Sequence, residues 1–387
     1  MTLLREDPEP LGTDPLEFSM QLAPRVRRRG PSWWLRTRMA LGLSPAPLPA
    51  LLLLAGVALG PSGLRLLSEV VLSYLDLMVS AALAALGVLV GFGLDMRRPR
   101  EWRLLGAASV EAGLTIVLVA VGVALTARLL PIPELSPWYV ALVLGICASA
   151  SSTIPAIDRT AHRLVTRVGD LDDVFPIVLG GFALGLAHEV SAPAAAWLSF
   201  QAIAIALAVA AAGWILITQA SSESEERVFA VGTVLLLGGV AEFLSVSALL
   251  SGLVAGAYWG FHGGPARDTI ARDVRHMQHP LVVLLLLIAG ARAGFSLVLV
   301  TPAIAYLALR VVAKLAGGWL VRRIVGPDVP PHLGMYLLSP GVIAVAFALN
   351  AELVGAGASG FVLIIVVAAS IGTDLLSMLV PPQEPSA

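Results

Sequence analysis

Apolar segments of about twenty residues recur along this chain, at 45–61, 72–93, 104–127, 138–157, 166–187, 193–218, 228–244, 246–262, 281–299, 301–321, 333–350 and 357–380. A helix of roughly twenty apolar residues covers the ~30 Å hydrocarbon layer of a bilayer. With 57% of its residues hydrophobic and only 13% charged, the chain has too few charges to clothe a water-soluble surface. The expected fold is therefore all-α and polytopic, with about twelve transmembrane helices over 44–380. Residues 1–43 read as a cytoplasmic tail, acidic and then arginine-rich, and 381–387 as a short C-terminal tail.

Charge placement orients the spans. Arg97, Arg98, Arg100 and Arg103 follow the second, and Arg159, Arg163 and Arg167 the fourth. Arg267, Arg272 and Arg275 follow the eighth, and Arg322 and Arg323 the tenth. The opposite loops hold Arg65 and Arg128. Excess arginine marks the cytoplasmic side, so the chain is expected in the cell inner membrane with both termini cytoplasmic. Trp33 and Trp34, set among arginines, suit the inner headgroup layer. A net charge of −1 gives no basic field for nucleic acid, and one cysteine, Cys147, excludes an internal disulfide or a thiolate metal site.

Two spans are interrupted. "ICASASSTIPAID" breaks the fourth with a Ser/Thr cluster that includes Ser152 and Thr153, followed by Pro155. "YLLSPGVIAV" breaks the eleventh with Ser339, Pro340 and Gly341. Mid-span Pro and Gly free backbone groups that lipid cannot satisfy, and they persist where the broken ends face a polar cavity. Interruptions paired between the two halves of a chain point to a transporter built of inverted repeats, with its site where the breaks meet.

Charge inside the spans narrows this further. Asp172 and Asp173 are adjacent in "RVGDLDDVFPIVLGG", and a carboxylate at mid-bilayer costs about 2.5–3.5 kcal/mol on insertion scales. Adjacent like charges resist joint ionisation, so protons compete with a bound cation. A helix beginning at Arg167 leaves Asp172 only ~8 Å deep, whereas a start near His162 or Arg163 brings it to the ~15 Å midplane. The plainer reading is a solvated first helical turn, where acids are favoured. Lys314 is the only lysine among 25 basic residues and lies mid-way along the tenth span. Lysine, unlike arginine, can give up its proton when desolvated, so it serves either as a proton carrier or as a counter-charge. Glu111, Arg292 and Arg310 read as structural charges, Glu111 and Arg292 pairing with each other or with Arg310. Glu242 and Asp374 are expected near span ends, in solvated or structural roles.

These motifs have a precedent. "LPALLLLAGVALGPSGLRLL" (48–67) resembles the first-span signature of monovalent cation:proton antiporters of the bacterial sodium/proton exchanger type. "AEFLSVSALLSGLVAGAYWG" (241–260) is similar to their glycine-spaced segment, "LALRVVAKLAGGWL" (307–320) to their lysine-bearing span and "LDDV" (171–174) to their paired aspartates. The resemblance covers most of 45–380. It implies a core domain with two crossed discontinuous helices, a dimerisation domain and hence a homodimer, and alternating access by an elevator-like movement. It further implies that Asp173 binds cation or proton, that Asp172 pairs with Lys314, and that Thr153 sits beside the ion. An aspartate pair with a lysine resembles the electrogenic members; electroneutral ones usually carry Asn-Asp. The chain departs from the pattern in a short connection between the fourth and fifth spans, and in Val342 after Gly341, where many members have glutamate.

The function so implied is exchange of a monovalent cation, Na⁺ first, for protons, in the service of pH homeostasis. Asp172 and Asp173 would hold the transported ion with hydroxyl help from Ser152 and Thr153, and no cofactor or catalytic residue is required. An intramembrane aspartyl protease would need its aspartates on different helices. A transport-inactive sensor or scaffold and a sodium-coupled organic anion symporter are the alternatives on the same fold. The topology is directly testable. A reporter active only in the periplasm, fused after Ala387, should stay silent; a strong signal means an odd span count or the opposite orientation.

Overall fold

The computed structural model describes residues 48–94, 99–127, 137–152, 159–188, 192–262, 265–294, 296–326, 333–354 and 359–377. The expected tails, 1–43 and 381–387, and the predicted break residues Thr153 and Pro155 lie outside the described residues. The first half of the chain runs α1 (Leu48–Leu59), α2 (Glu69–Tyr74), α3 (Asp76–Phe92), α4 (Pro99–Ala127), α5 (Pro137–Ser149), β1 (Ser151–Ser152), α6 (Arg159–Asp172) and α7 (Val174–His188). The remainder runs α8 (Ala192–Gln219), α9 (Glu223–Phe243), α10 (Ala248–His262), α11 (Pro265–Ala293), α12 (Val300–Val325), α13 (Leu333–Tyr336), β2 (Ser339–Pro340), α14 (Val342–Leu353) and α15 (Ser359–Ser377). A 3₁₀ turn, Leu297–Leu299, leads into α12.

The body is a mostly helical membrane fold, with one short strand pair, β1 with β2, among the described residues. α4, α8, α11 and α12 are each long and apolar enough to cross a bilayer, and shorter apolar helices at 48–59, 76–92, 138–149, 342–353 and 360–375 accompany them. Two segments expected as unbroken spans are jointed instead. The 72–93 segment divides at Leu75 and the 166–187 segment at Asp173. The second joint has a plain cause: Pro176 carries no N–H, so the carbonyl four residues back, on Asp172, loses its helical donor. The ladder resumes one residue later, where the Ile177 amide donates to the Asp173 carbonyl over 3.2 Å.

Glycines bring the helices together, because lipid tails offer helices no hydrophobic incentive to associate and close backbone approach must do so. α3 packs along α10 with Gly87 and Gly91 facing Gly252 and Gly256, and α1 packs along α11 with Gly56 facing Gly290. A methyl on any of these six glycines would strike a backbone carbonyl of the partner helix. The surface left outside is apolar and exposed at Tyr74, Val228, Phe243, Ile304 and Val312, which suits contact with lipid.

Charges gather at opposite ends of α9 and α11. At their starts Arg272 meets Glu223 at 3.2 Å, and Arg227 meets the same carboxylate at 3.2 Å. At their far ends Arg292 pairs with Asp76 of α3 and lies 3.6 Å from Glu352 of α14. The Ser80 hydroxyl donates to Glu242 in the same group. This corrects the expected pairing of Arg292 with Glu111: the arginine lies at a helix end, and its partners are Asp76 of α3, Glu352 of α14 and the Leu72 carbonyl of α2, 3.2 Å away. Asp374 is buried rather than solvated.

The glycine contacts make a stability prediction. Gly252→Leu should part α3 from α10 and cost about 1–3 kcal/mol by overpacking. Gly232→Ala, with open space around it, should be neutral or mildly stabilising. Thermal unfolding in detergent checks both; an unchanged midpoint for Gly252→Leu would show that this contact yields freely.

Candidate functional site

The two interrupted helices meet at their breaks. α5 ends at Ser149 and passes into β1, α13 passes into β2, and the strands pair antiparallel with Ser151 opposite Pro340 and Ser152 opposite Ser339. Pro340 holds the residue before it out of helical geometry, which keeps the second break extended. Gly341 then starts α14; a Cβ there would lie about 3.0 Å from the Ser151 carbonyl carbon, tighter than side chains normally tolerate. The Ser152 and Ser339 hydroxyls bridge the strands over 3.1 Å.

Breaking α5 leaves carbonyls with no helical donor, at the negative end of the helix dipole. Two cations one turn apart on α12 answer them. Arg310, 2% exposed, donates to the carbonyls of Ala148 at 3.0 Å, Ala150 at 2.8 Å and Ser339 at 3.4 Å, and so fastens both breaks at once. Lys314, 0% exposed, sends Nζ to the Ser149 carbonyl at 2.5 Å, Ser151 Oγ at 3.0 Å, Glu111 Oε2 at 3.1 Å and Asp172 Oδ2 at 3.3 Å. Glu111, expected to pair with Arg292 or Arg310, therefore pairs with Lys314. Its other oxygen accepts from Thr115 Oγ1 at 3.1 Å.

The aspartates stand beside this meeting point. α6 starts at Arg159, so Asp172, thirteen residues on, lies about 20 Å along the helix. Asp172 is 0% exposed, and its Oδ2 also accepts from Ser151 Oγ at 2.5 Å. Asp173 is 9% exposed, and the Ser151 backbone amide is directed at its carboxylate. One oxygen of each, Asp172 Oδ1 and Asp173 Oδ1, is buried without a hydrogen-bond partner among the described residues. A buried acceptor with no donor is costly, so both oxygens are positions that could accept a proton or a small cation. Hydroxyl, carbonyl and carboxylate oxygens are a hard donor set suited to a monovalent metal ion.

Of the predicted site residues, the structure brings together Asp172, Asp173, Ser152, Ser339, Pro340, Gly341, Arg310, Lys314 and Glu111. It leaves Arg292 elsewhere. Ser151, not singled out in the sequence, touches both Asp172 and Lys314; the Ser/Thr cluster signalled a hydroxyl there, but not which one faces inward.

Paired breaks fastened by buried cations beside two aspartates, in a mostly helical membrane body, define a secondary transporter of the antiporter fold. A sequence-family model described as sodium/hydrogen exchanger, transmembrane, matches residues 35–382, and the chain belongs to that family. Among solved structures, the sodium proton antiporter MjNhaP1 from Methanocaldococcus jannaschii, determined at pH 8, is similar, with a TM-score of 0.62 at 16% identity over 89% of this chain and 91% of that one. A search of curated proteins finds no match.

The electrostatics predict the effect of removing the lysine. Lys314→Gln strands Glu111 and Asp172 in a sealed core and should cost about 3–5 kcal/mol. Adding Glu111→Gln removes one stranded charge and should restore part of the loss, a coupling that a double-mutant cycle measures by thermal unfolding in detergent. Strictly additive losses would show that the two side chains do not act as a pair.

Proposed function

We propose that this protein exchanges a monovalent cation, Na⁺ first, for protons across the cell inner membrane by alternating access. Asp173 and Asp172 are the shared site, occupied by the cation or by a proton but not by both. The observation that carries this reading is a pair of buried oxygens on adjacent aspartates, without hydrogen-bond partners among the described residues, beside the paired helix breaks. Mutually exclusive occupancy of one site is sufficient for exchange, since each occupant must leave before the other binds. Thr153, as the resemblance implies, supplies a further oxygen to the cation, while the exposed Ser152 hydroxyl is given to Ser339 across the paired breaks. Lys314 compensates Asp172 when the site is empty. The protein works as a homodimer with both termini cytoplasmic, a reading supported by family resemblance for the first and by the arginine asymmetry for the second. Membership of the sodium/hydrogen exchanger family favours this reading over a symporter or a silent sensor.

Proteoliposomes with an internal pH dye provide the test. Adding Na⁺, Li⁺ or K⁺ in turn to wild-type protein should release protons with a ranked preference. Asp173→Asn removes the charge that either occupant neutralises, and exchange should fall at least a hundredfold while insertion and oligomeric state stay normal. Wild-type proton release from that variant would overturn the site assignment.

A further inference from the structure

The packing between α1 and the helices around the breaks is not solid. Towards the end of α12 that lies away from Arg322 and Arg323, a cavity of about 300 Å³ opens between three helices. Val57 of α1, Ala303 and Leu307 of α12 and Ala368 of α15 stand in its walls. Its volume is that of a small-molecule site, yet Ser296 supplies the one polar side chain among the described residues that line it. Neither the ion site nor the glycine contacts use this space.

The cavity cannot close by simple collapse. α1 is held against α11 where Gly56 meets Gly290, backbone on backbone. α15 is fastened to α1 at the other end, where the Asp374 carboxylate receives the Ala50 amide. Ala50 lies at the start of α1 and Asp374 near the close of α15, so the two helices are tied there and leave the cavity over the turns that follow. Walls that face an empty apolar space lose the dispersion contacts of a packed interior, which makes an occupant favourable. A dry apolar cavity takes an apolar guest rather than water.

Where the cavity opens decides what enters it. Leu54, Val300 and Ile304 line it and are exposed, so its rim is continuous with the apolar surface that suits lipid. Its mouth, at the connection from α11 to α12, is polar. Ser296 lies there, and Ser62 of the loop after α1 stands against Gly294. The amide of Arg65, an exposed residue of the same loop, donates to the Gly60 carbonyl and so folds the loop over the end of α1. Hydroxyls and a cation at one end, with aliphatic walls below, match the esters, phosphate and acyl chain of a phospholipid. A second copy of this chain fits less well. Protein interfaces anchor on aromatic, methionine and arginine side chains, and none lines this cavity among the described residues.

We propose that one acyl chain of a phospholipid fills this cavity, entering from the leaflet on the side of the α11–α12 connection, with its phosphate beside Arg65. The chain supplies the packing layer between α1 and α12 at Leu307, one turn before Arg310, where the protein itself provides none. The test reconstitutes the full chain in vesicles of phosphatidylethanolamine and phosphatidylglycerol, with part of the phosphatidylglycerol carrying a diazirine in one acyl chain. After illumination, mass spectrometry of the digested protein locates the adducts. Leu307 and Val57 should be labelled along with Val312, an exposed residue of α12 outside the cavity. Ala368→Trp and, separately, Ala303→Trp fill the space and should abolish labelling at Leu307 and Val57 while leaving Val312 unchanged. Arg65→Gln should lower labelling of the wall; an unchanged yield overturns the placement of the phosphate. Labelling at Leu307 and Val57 that persists in both filled variants puts the lipid on the outer surface and overturns the site. A wild-type wall that stays unlabelled while Val312 reacts also overturns it, and means that protein, a second copy included, covers the wall. Labelling of the wall by a diazirine fatty acid but not by the phospholipid overturns the choice of occupant. Should neither tryptophan variant fold, wild-type labelling still decides. The readout is binding, so it stands whether or not the protein exchanges ions.

Discussion

Everything at the centre of this molecule follows from backbone carbonyls that have no helical partner inside a membrane. Interrupting α5 and the helix opposite it makes a polar spot where lipid can offer nothing. Arg310 and Lys314 satisfy that spot from one face of α12, the arginine with a planar fork reaching three carbonyls and the lysine with a point charge reaching one. Once two cations are buried, carboxylates must follow them, and Glu111 and Asp172 do. Asp173 stands beside them and forms no ion pair among the described residues. The order of causes runs from a broken backbone to carboxylate oxygens with no donor among the described residues.

Much of this was legible in the sequence, for reasons that can be stated residue by residue. Asp172, Asp173 and Lys314 stood out because charge in an apolar span needs a compensating reason wherever it occurs. The breaks stood out because Pro and Gly interrupt helices by local rules. Glu111 was seen but misassigned, since its partner lies 203 residues away and nothing local reveals which of three basic residues a buried acid will meet. Arg292 was misassigned for the complementary reason: it lies at a helix end, where its partners Asp76 and Glu352 come from helices whose relative height the sequence does not encode. Ser151 was hidden in a run of hydroxyls, where a shift of one residue changes which one faces Asp172. The joint at Asp173 was readable in principle from Pro176, three residues ahead, but continuous hydrophobicity through 174–187 masked it.

The two helix pairs joined through glycine give this centre a frame. α1 with α11 and α3 with α10 approach so closely that backbone touches backbone, which removes the side-chain layer that would otherwise let the helices slide. The body that carries the breaks is packed differently. Gly318 of α12 lies against Gly334, and Gly334 in turn against the Lys314 carbonyl, so the short helix α13 is fixed directly to the turn that bears the lysine. Two separate uses of the same residue type are thus present, one to tie long helices together and one to place a break beside a charge.

Lys314 is both the only lysine in the chain and fully enclosed, and this has a consequence for the reactivity of the protein as a whole. The folded molecule presents no side-chain amine to water. Reagents that acylate or reductively alkylate lysine find their sole side-chain target only after the helices around the breaks have separated. Amine labelling at residue 314 is therefore a count of molecules whose centre has opened, read at a single atom, in a chain where arginine supplies all other basic side chains apart from histidine.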